Sequence, residues 1–251
     1  MRAGHISHLL RRSLLIVAHP DDESVGAGVL LQRIQDPCVV FCTDGGPRDS
    51  YFWQSYGGRE NYVTVRGQET ETAMRIAGVK RTAFLNFCDQ ELHRNLRSAL
   101  NELNELAREF RPDALLTHAY EGGHPDHDSC AFLAYLLGSQ QRIPVWEMPL
   151  YHRTGEGIRR QQFLQPTNDT ALLRGTAGEL DTKRNMVRAH ASQSQALKGF
   201  DLKCERFRPQ ASYDFWNPPK AEVINYEAWR WPLTAEQVCA AFATLLPKIQ
   251  A

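Results

Sequence analysis

The sequence predicts an α/β fold with a Rossmann-like, mostly parallel sheet, helices on both faces and a C-terminal elaboration. Three observations predict it. Short continuous apolar runs alternate with helical patterns through the first 150 residues, as in sheets buried on both faces. Gly and polar clusters separate them. Finally, 42% of the 251 residues are hydrophobic and 23% are charged, an ordinary globular mix. A chain this long buries a full core unaided, and no linker, repeat or low-complexity tract divides it, so residues 1–251 are expected to form one domain.

The elements follow in order. Ser13–Ala18 reads as a buried strand and Ser24–Ile34 as a helix; Pro37–Thr43 is a second strand, and a long helix over Arg59–Gly78 stops at Gly78. Thr82–Phe87 is a third strand, Asn95–Phe110 a helix, Asp113–His118 a fourth strand, His127–Gly138 a helix and Ile143–Met148 a fifth strand. Beyond it, Pro149–Asp169 has room for a hairpin. Gly178–Ala191 is a helix with Lys183, Arg184 and Arg188 on its polar face. Phe207–Pro232, rich in Pro and Trp, reads as packed loop. Thr234–Ile249 reads as a closing helix with Thr234 as N-cap.

Charge and composition exclude several functions. Lys plus Arg number 29 and Asp plus Glu number 29, giving no net charge. That disfavours nucleic-acid binding by phosphate neutralisation and a polybasic membrane anchor. The apolar run Leu14–Ala18 is too short for a membrane span or a signal peptide, so a cytoplasmic protein without stable membrane insertion is expected. Six scattered cysteines without CxxC spacing indicate neither a disulfide framework nor a thiolate knuckle.

Chemistry concentrates in two motifs. His19-Pro20-Asp21-Asp22-Glu23 follows the first strand, and His124-Pro125-Asp126-His127 follows the fourth. The carboxyl ends of parallel strands share one edge, where such folds bind ligands, so adjacent first and fourth strands would bring the motifs together. Imidazoles with a carboxylate suit one Zn²⁺ per chain, with Fe²⁺ also compatible. The ion lowers the pKa of a bound water toward ~7, and a spare carboxylate and imidazole supply proton transfer and oxyanion stabilisation. One motif alone reads equally well as helix capping; two at the same sheet edge do not.

These two motifs resemble the PIG-L/LmbE-like zinc-dependent N-acetylglucosaminyl deacetylases. The resemblance spans about Leu14 to Phe132 and continues weakly at Lys183–Gln193, where Lys183, His190, Ser192 and Gln193 look like the family's H-x-S-Q segment. It implies His19, Asp22 and His127 as metal ligands and Asp21 as general base. It implies His124 as acid and oxyanion group, oriented by Asp126. Arg66, in an R-x-x-E pattern with Glu69, is implied at the substrate pocket. Asp44, after the second strand, and His190 are further expected substrate contacts. Where some sugar deacetylases carry a Tyr two residues before the acid His, this chain has Gly122; a Tyr donor would have to come from Tyr120 or another segment. The aromatic stretch Tyr51–Tyr56 reads equally as a stacking surface or a packed lid.

The expected activity is hydrolysis of the N-acetyl (acyl) amide of an N-acetylglucosamine-type small molecule or glycoconjugate by metal-activated water. The alternatives are a metal-dependent phosphoesterase and an amidase acting on a non-sugar substrate. A two-metal phosphoesterase needs more bridging carboxylates than the motifs offer. A dinucleotide loop at Gly26-Ala27-Gly28 is disfavoured by the acids before it. A homo-oligomer is compatible with this reading.

Overall fold

The computed structural model describes residues 6–246. Five parallel strands form the centre: β1 (Arg12–Val17), β2 (Asp36–Thr43), β3 (Arg81–Phe87), β4 (Ala114–His118) and β5 (Val145–Met148). Two antiparallel strands, β8 (Ala171–Arg174) and β9 (Cys204–Pro209), extend the sheet to the order β3-β2-β1-β4-β5-β9-β8. The expected hairpin in the 149–169 stretch is present as β6 (Tyr151–Thr154) and β7 (Gly157–Arg160). Strand order reverses between β1 and β4, which pair directly from Ser13↔Ala114 to Leu15↔Leu116. That switch point is where an open α/β sheet leaves a crevice at its carboxyl edge.

The helices cover both faces. Strand residues alternate between them: Leu14 and Ile16 join a core with α3 (Leu96–Phe110), α4 (Pro125–Gln141) and α7 (Ala235–Ala243). Leu15 and Val17 join a second core with α1 (Asp22–Leu31), α2 (Arg59–Ala77) and α5 (Ala177–Ala189). The C-cap of α2, Gly78, takes the left-handed conformation (φ 75°) that ends the helix.

Four expectations need correction. Lys183 is not on a polar face: it is fully buried and paired with Glu205 at 2.7 Å. The pair repairs a break in α1, where Ala27 leaves helical geometry (φ −140°, ψ 17°). The Lys183 ammonium donates to the Val25 carbonyl (2.8 Å), and the Glu205 carboxylate accepts from Val29 and Leu30 N–H (2.7 and 2.9 Å). Buried backbone polar groups require partners, and here an ion pair supplies them. Second, α1 starts at Asp22, two residues early, so the acids form its first turn. Third, the 207–232 stretch is not all loop: it holds the end of β9 and a short helix, α6 (Asn225–Ala228). Fourth, α7 ends at Ala243, short of Ile249; Thr234 is its N-cap as expected, while residues 247–251 lie outside the described residues.

Candidate active site at the carboxyl edge

The segment after β1 is shaped to display its acids. Ala18 N–H donates to His118 Nε2 at the end of β4 (2.9 Å), tying the two strand ends together. His19 N–H donates to Asp22 Oδ2 (2.8 Å), folding the Asp22 carboxylate back over the turn. Asp21 sits at φ 140°, ψ −24°, a conformation costing roughly 1–3 kcal/mol for a non-glycine residue. Its surroundings enforce it. Asp21 N–H donates to Glu23 Oε2 (3.1 Å), its carbonyl accepts from Ser24 N–H (3.0 Å), and Arg66 donates to both Pro20 O (2.6 Å) and Asp21 Oδ2 (3.2 Å).

His19, Asp22 and His127 converge. His19 Nδ1 lies 3.3 Å from Asp22 Oδ2 and 3.2 Å from His127 Nε2, and His127 Nε2 lies 3.4 Å from Asp22 Oδ1. A tetrahedral ion with ligand bonds of about 2.0–2.1 Å places its donor atoms about 3.3–3.4 Å apart. His19 Nε2 lies 3.2 Å from Asp126 Oδ2, and the tautomer that donates there leaves Nδ1 as a lone pair facing the other two ligands. Without the cation, against burial, Asp89, Asp126 and Asp22 hold the ring well above the usual imidazole range. Such a hydrogen bond to a carboxylate fixes the tautomer of a metal-binding histidine. The two Asp22 distances run to different carboxylate oxygens, so donor type and proximity fit one divalent cation once a single Asp22 oxygen turns toward both imidazoles. As placed, His127 shares one cluster with His19 and His124 and another with Asp22 and His118. A neighbouring cluster of His19, Asp89, His124 and Asp126 would hold a second ion only by taking the His19 nitrogen that already donates, which argues against the two-metal alternative.

Asp126 does not orient His124 as expected. Its carboxylate is 3.8 Å from His124 Nδ1, beyond hydrogen-bond reach, and is committed to His19 and to the N–H groups of Gln90 (2.6 Å) and Leu92 (3.0 Å). The Asp126 backbone N–H does the orienting, donating to His124 Nδ1 (3.2 Å) as His124 caps α4. The imidazole therefore carries its proton on Nε2. The carboxylate near that nitrogen is Asp89, 3.6 Å away and 3.2 Å from His19 Nε2.

The expected substrate contacts divide. Arg66 lines the cavity, but its guanidinium holds Pro20, Asp21 and the Gly45 carbonyl (2.9 Å). Asp44 does not line the cavity; both its oxygens accept from Arg59 (2.8 and 2.6 Å). His190 is fully buried behind the turn, with Nε2 3.3 Å from Glu23 Oε1 and 3.2 Å from Ser24 Oγ. Neither Asp44 nor His190 reaches the cavity, because each completes a polar cluster that braces the loop after β1 or β2. Glu69 likewise accepts from Ser192 N–H and Oγ (2.8 and 2.6 Å), docking the 191–193 turn onto α2.

Sequence reasoning missed Asp89, His118 and Tyr151. Asp89 follows β3 on the same carboxyl edge, and that placement was the available signal. His118 ends β4 and stacks on His127 (4.1 Å between centroids, 2° between planes), fixing that ring. Tyr120 points away, donating to the Asn217 carbonyl (2.9 Å). Tyr151, from β6, instead lines the cavity, edge-on to His127 at 5.3 Å. Gly123 permits this approach, since a Cβ there would lie 2.0 Å from the Tyr151 carbonyl oxygen.

Burial sets the ionisation. It pushes the Asp21 carboxyl up to about 7, against the pull of Arg66. The adjacent Asp22 is buried too, but His127 and His118 hold it well below the usual carboxylate range. Neighbouring acids are thereby separated into a proton acceptor near neutrality and a permanent anion. Burial holds His124 well below the usual imidazole range, so it is neutral.

These groups open into a cavity of about 340 Å³ whose outer wall includes Phe52, Tyr151, Phe200, Trp229 and Trp231. Residues 14–137 match the family model described as PIG-L: GlcNAc-PI de-N-acetylase. Over that stretch, just under half of its length, the chain is similar to the PIG-L family. A Bacillus cereus relative, a probable N-acetyl-alpha-D-glucosaminyl L-malate deacetylase 2, is 25% identical over 193 residues, covering 74% of this chain and 86% of its own. The diacetylchitobiose deacetylase of Thermococcus kodakarensis is 31% identical over 145 residues, 54% of this chain and 52% of that one. A solved triple mutant of a deacetylase of the teicoplanin biosynthetic pathway has the same fold, with a TM-score of 0.67 at 20% identity over 81% of this chain and 99% of that one. The PIG-L match contains both His/Asp motifs, Arg66 and Asp89, and ends before Tyr151 and the two cavity tryptophans. No helix among the described residues is long and apolar enough to cross a membrane.

Proposed function

We propose that this protein is a metal-dependent N-deacetylase that hydrolyses the acetamido group of an N-acetylglucosamine-type sugar or glycoconjugate. The observation that carries the reading is the clustering of His19 Nδ1, the two oxygens of Asp22 and His127 Nε2, with contacts of 3.2–3.4 Å, beside the Asp21 carboxyl. These three residues would hold one zinc, with ferrous iron as the alternative. A divalent ion there supplies Lewis acidity to the amide carbonyl and to the attacking water.

The chain's own groups do the rest. Asp21 takes a proton from the attacking water and passes it to the leaving nitrogen once the C–N bond gives way. His124, neutral and holding its proton on Nε2, donates a hydrogen bond to the carbonyl oxygen as negative charge gathers there. Accepting the Asp126 N–H at Nδ1 favours the oxyanion role for His124, and in this reading Asp21 carries both proton transfers. Arg66 keeps the Asp21 carboxylate aimed while its backbone is strained. Asp126 and Asp89 hold His19. The proposal takes the chain as one cytoplasmic domain, self-association included as compatible.

Metal analysis of the purified protein, run beside acetate release from N-acetylglucosamine derivatives with and without chelator, tests this. About one zinc per chain and chelator-sensitive acetate support it; absence of metal after zinc is added back overturns it. Asp21→Asn should keep the metal and lose about 10²–10⁴ in turnover. In the zinc-loaded wild type, kcat/KM should rise with pH as the Asp21 carboxyl ionises, at a pH below the about 7 that burial sets without the cation, because the bound charge favours the carboxylate; the variant should lack that limb. A fully active Asp21→Asn would remove Asp21 from the mechanism.

A further inference from the structure

The cavity has two unlike halves. From His124 an unbroken series of ring contacts runs outward: Trp231 stands edge-on to His124 at 5.1 Å, Trp229 packs on Trp231 at 5.2 Å, Tyr151 lies 6.3 Å from Trp229, and Phe200 lies 6.5 Å from Tyr151. Trp229 is 40% exposed and Phe52 37% exposed, so large apolar surface stands in water beside the reactive groups rather than being packed away. The remaining polar wall is sparse. Arg66 is committed to the Asp21 turn, and the Gln193 amide donates to the Tyr62 hydroxyl (2.7 Å) and Ser192 Oγ (3.0 Å). Outside the metal-binding and proton-handling groups, the wall's uncommitted polar groups are the Gln90 side chain, the Tyr151 hydroxyl, Gln193 Oε1, Arg66 Nε and the indole N–H groups of Trp229 and Trp231, the last two carried by the aromatic arc itself. The wall therefore offers a substrate mainly apolar ring surface, with several of its polar partners at the ring edges.

We propose that the natural substrate carries an aromatic or similarly broad apolar group on the amine side of the amide, and that this group packs on the Trp231–Trp229–Tyr151–Phe200 arc. The inference rests on the deacetylase reading in one respect: an acetyl group is a single methyl beyond the carbonyl and cannot occupy an arc of four rings, which leaves the amine half. The substrate class is then an N-acetylated amino sugar, or a comparable amide, joined to an apolar aglycone. The arc is offset from the reacting atoms, so it selects substrate without taking part in bond breaking. The expected gain is the burial of one ring's apolar surface, about tenfold or more in affinity.

The test compares methyl and phenyl glycosides of N-acetylglucosamine, in both anomers, against the zinc-loaded full chain. Binding is measured by calorimetry and turnover by acetate release. The phenyl glycoside should bind, and react in kcat/KM, at least about tenfold better than the methyl glycoside. Trp229→Ala should shrink that ratio to threefold or less. Trp216→Ala, an exposed tryptophan outside this cavity, should leave the ratio intact. A methyl-to-phenyl ratio near one, or a ratio indifferent to Trp229, overturns the proposal. So does a larger gain from lengthening the N-acyl chain on the methyl glycoside, which would put the apolar group on the acyl side. If the phenyl glycoside binds preferentially but neither compound releases acetate, the deacetylase reading fails while the aromatic subsite stands. If both are hydrolysed with equal efficiency, the reverse holds.

Discussion

Residues before and after Pro149 contribute to the cavity in different ways. The first part supplies His19, Asp21, Asp22, Arg66, Asp89, His124 and His127, nearly all from turns at the ends of parallel strands. The second supplies Tyr151, Phe200, Trp229 and Trp231, from a hairpin and from loops. Strand ends pin groups to fixed positions because neighbouring strands hold the backbone on both sides. Loops fix shape more loosely and vary at less cost to the core. Reaction chemistry needs the former, and selection among substrates can be built on the latter. The seam is well knit: Asn225 N–H and side-chain amide donate to the carbonyls of Gly122 and Gly123 (2.9 and 3.0 Å), just ahead of His124.

The largest effects should come from the strand-end groups. His127→Ala removes one of three converging ligands and leaves Asp22 with less counter-charge. Metal content after dialysis should fall to near zero, and acetate release should fall by about 10³-fold or more, a loss of several kcal/mol of Lewis-acid stabilisation. A His127→Ala protein that keeps a full equivalent of zinc would show that the ligands lie elsewhere in the His/Asp cluster.

Next in size is the join between the two parts. Lys183 and Glu205 come from the second part, yet they complete the backbone of α1, whose first turn carries Asp22. Lys183→Met fills similar volume but strands a buried carboxylate. Removing one partner of a buried pair typically costs about 3–5 kcal/mol, readable as a shift in the urea midpoint. Metal affinity should fall as well, because the break in α1 lies one turn from the ligand turn. A cost below about 1 kcal/mol would mean that water replaces the ammonium and that the pair is not a strut.

The division also explains what could be read from the sequence. β1 to β5 and their helices were legible within a few residues because strands buried on both faces appear as continuous apolar runs. The two motifs were legible because each sits where such a run stops. β8 and β9 were not: β9 reads Cys-Glu-Arg-Phe-Arg-Pro, and its Glu205 and Arg208 are buried only because Lys183 and Glu147 neutralise them (2.7 and 2.6 Å). A charged residue whose partner lies 22 or 61 positions away looks like surface in one dimension. Lys183 reads as surface for the same reason. His190 reads as a pocket residue because it is the histidine of the H-x-S-Q match, and it braces Glu23 instead.

Asp89 tests a smaller effect on the strand-end side. It has no motif around it, and it reaches the site only because β3 delivers it to the same edge as His19. Asp89→Asn keeps the shape and removes the charge near both His19 and His124. Carboxylates that brace metal-binding histidines typically contribute about 10–100-fold, so metal affinity against a competing chelator, or turnover at saturating metal, should fall by that amount. No change in either would make Asp126 the sufficient brace of His19.

The smallest expected effect separates bracing from substrate contact in the loop after β2. Asp44 accepts two hydrogen bonds from Arg59 and one from Gly46 N–H (2.9 Å), and it faces away from the cavity. Asp44→Asn should therefore cost about 1–2 kcal/mol of stability through the weakened charge-assisted pair, partly screened because Arg59 is 30% exposed. Its KM for any hydrolysed substrate should stay within about twofold of wild type. A bracing residue moves the melting temperature and leaves KM alone, whereas a sugar-binding carboxylate does the opposite. If KM rises severalfold while stability holds, the Arg59 pair opens when substrate arrives, and the polar side of the substrate is read from the loop after β2. The aromatic arc would then be one of two selecting surfaces, and strand-end loops would share in substrate choice after all.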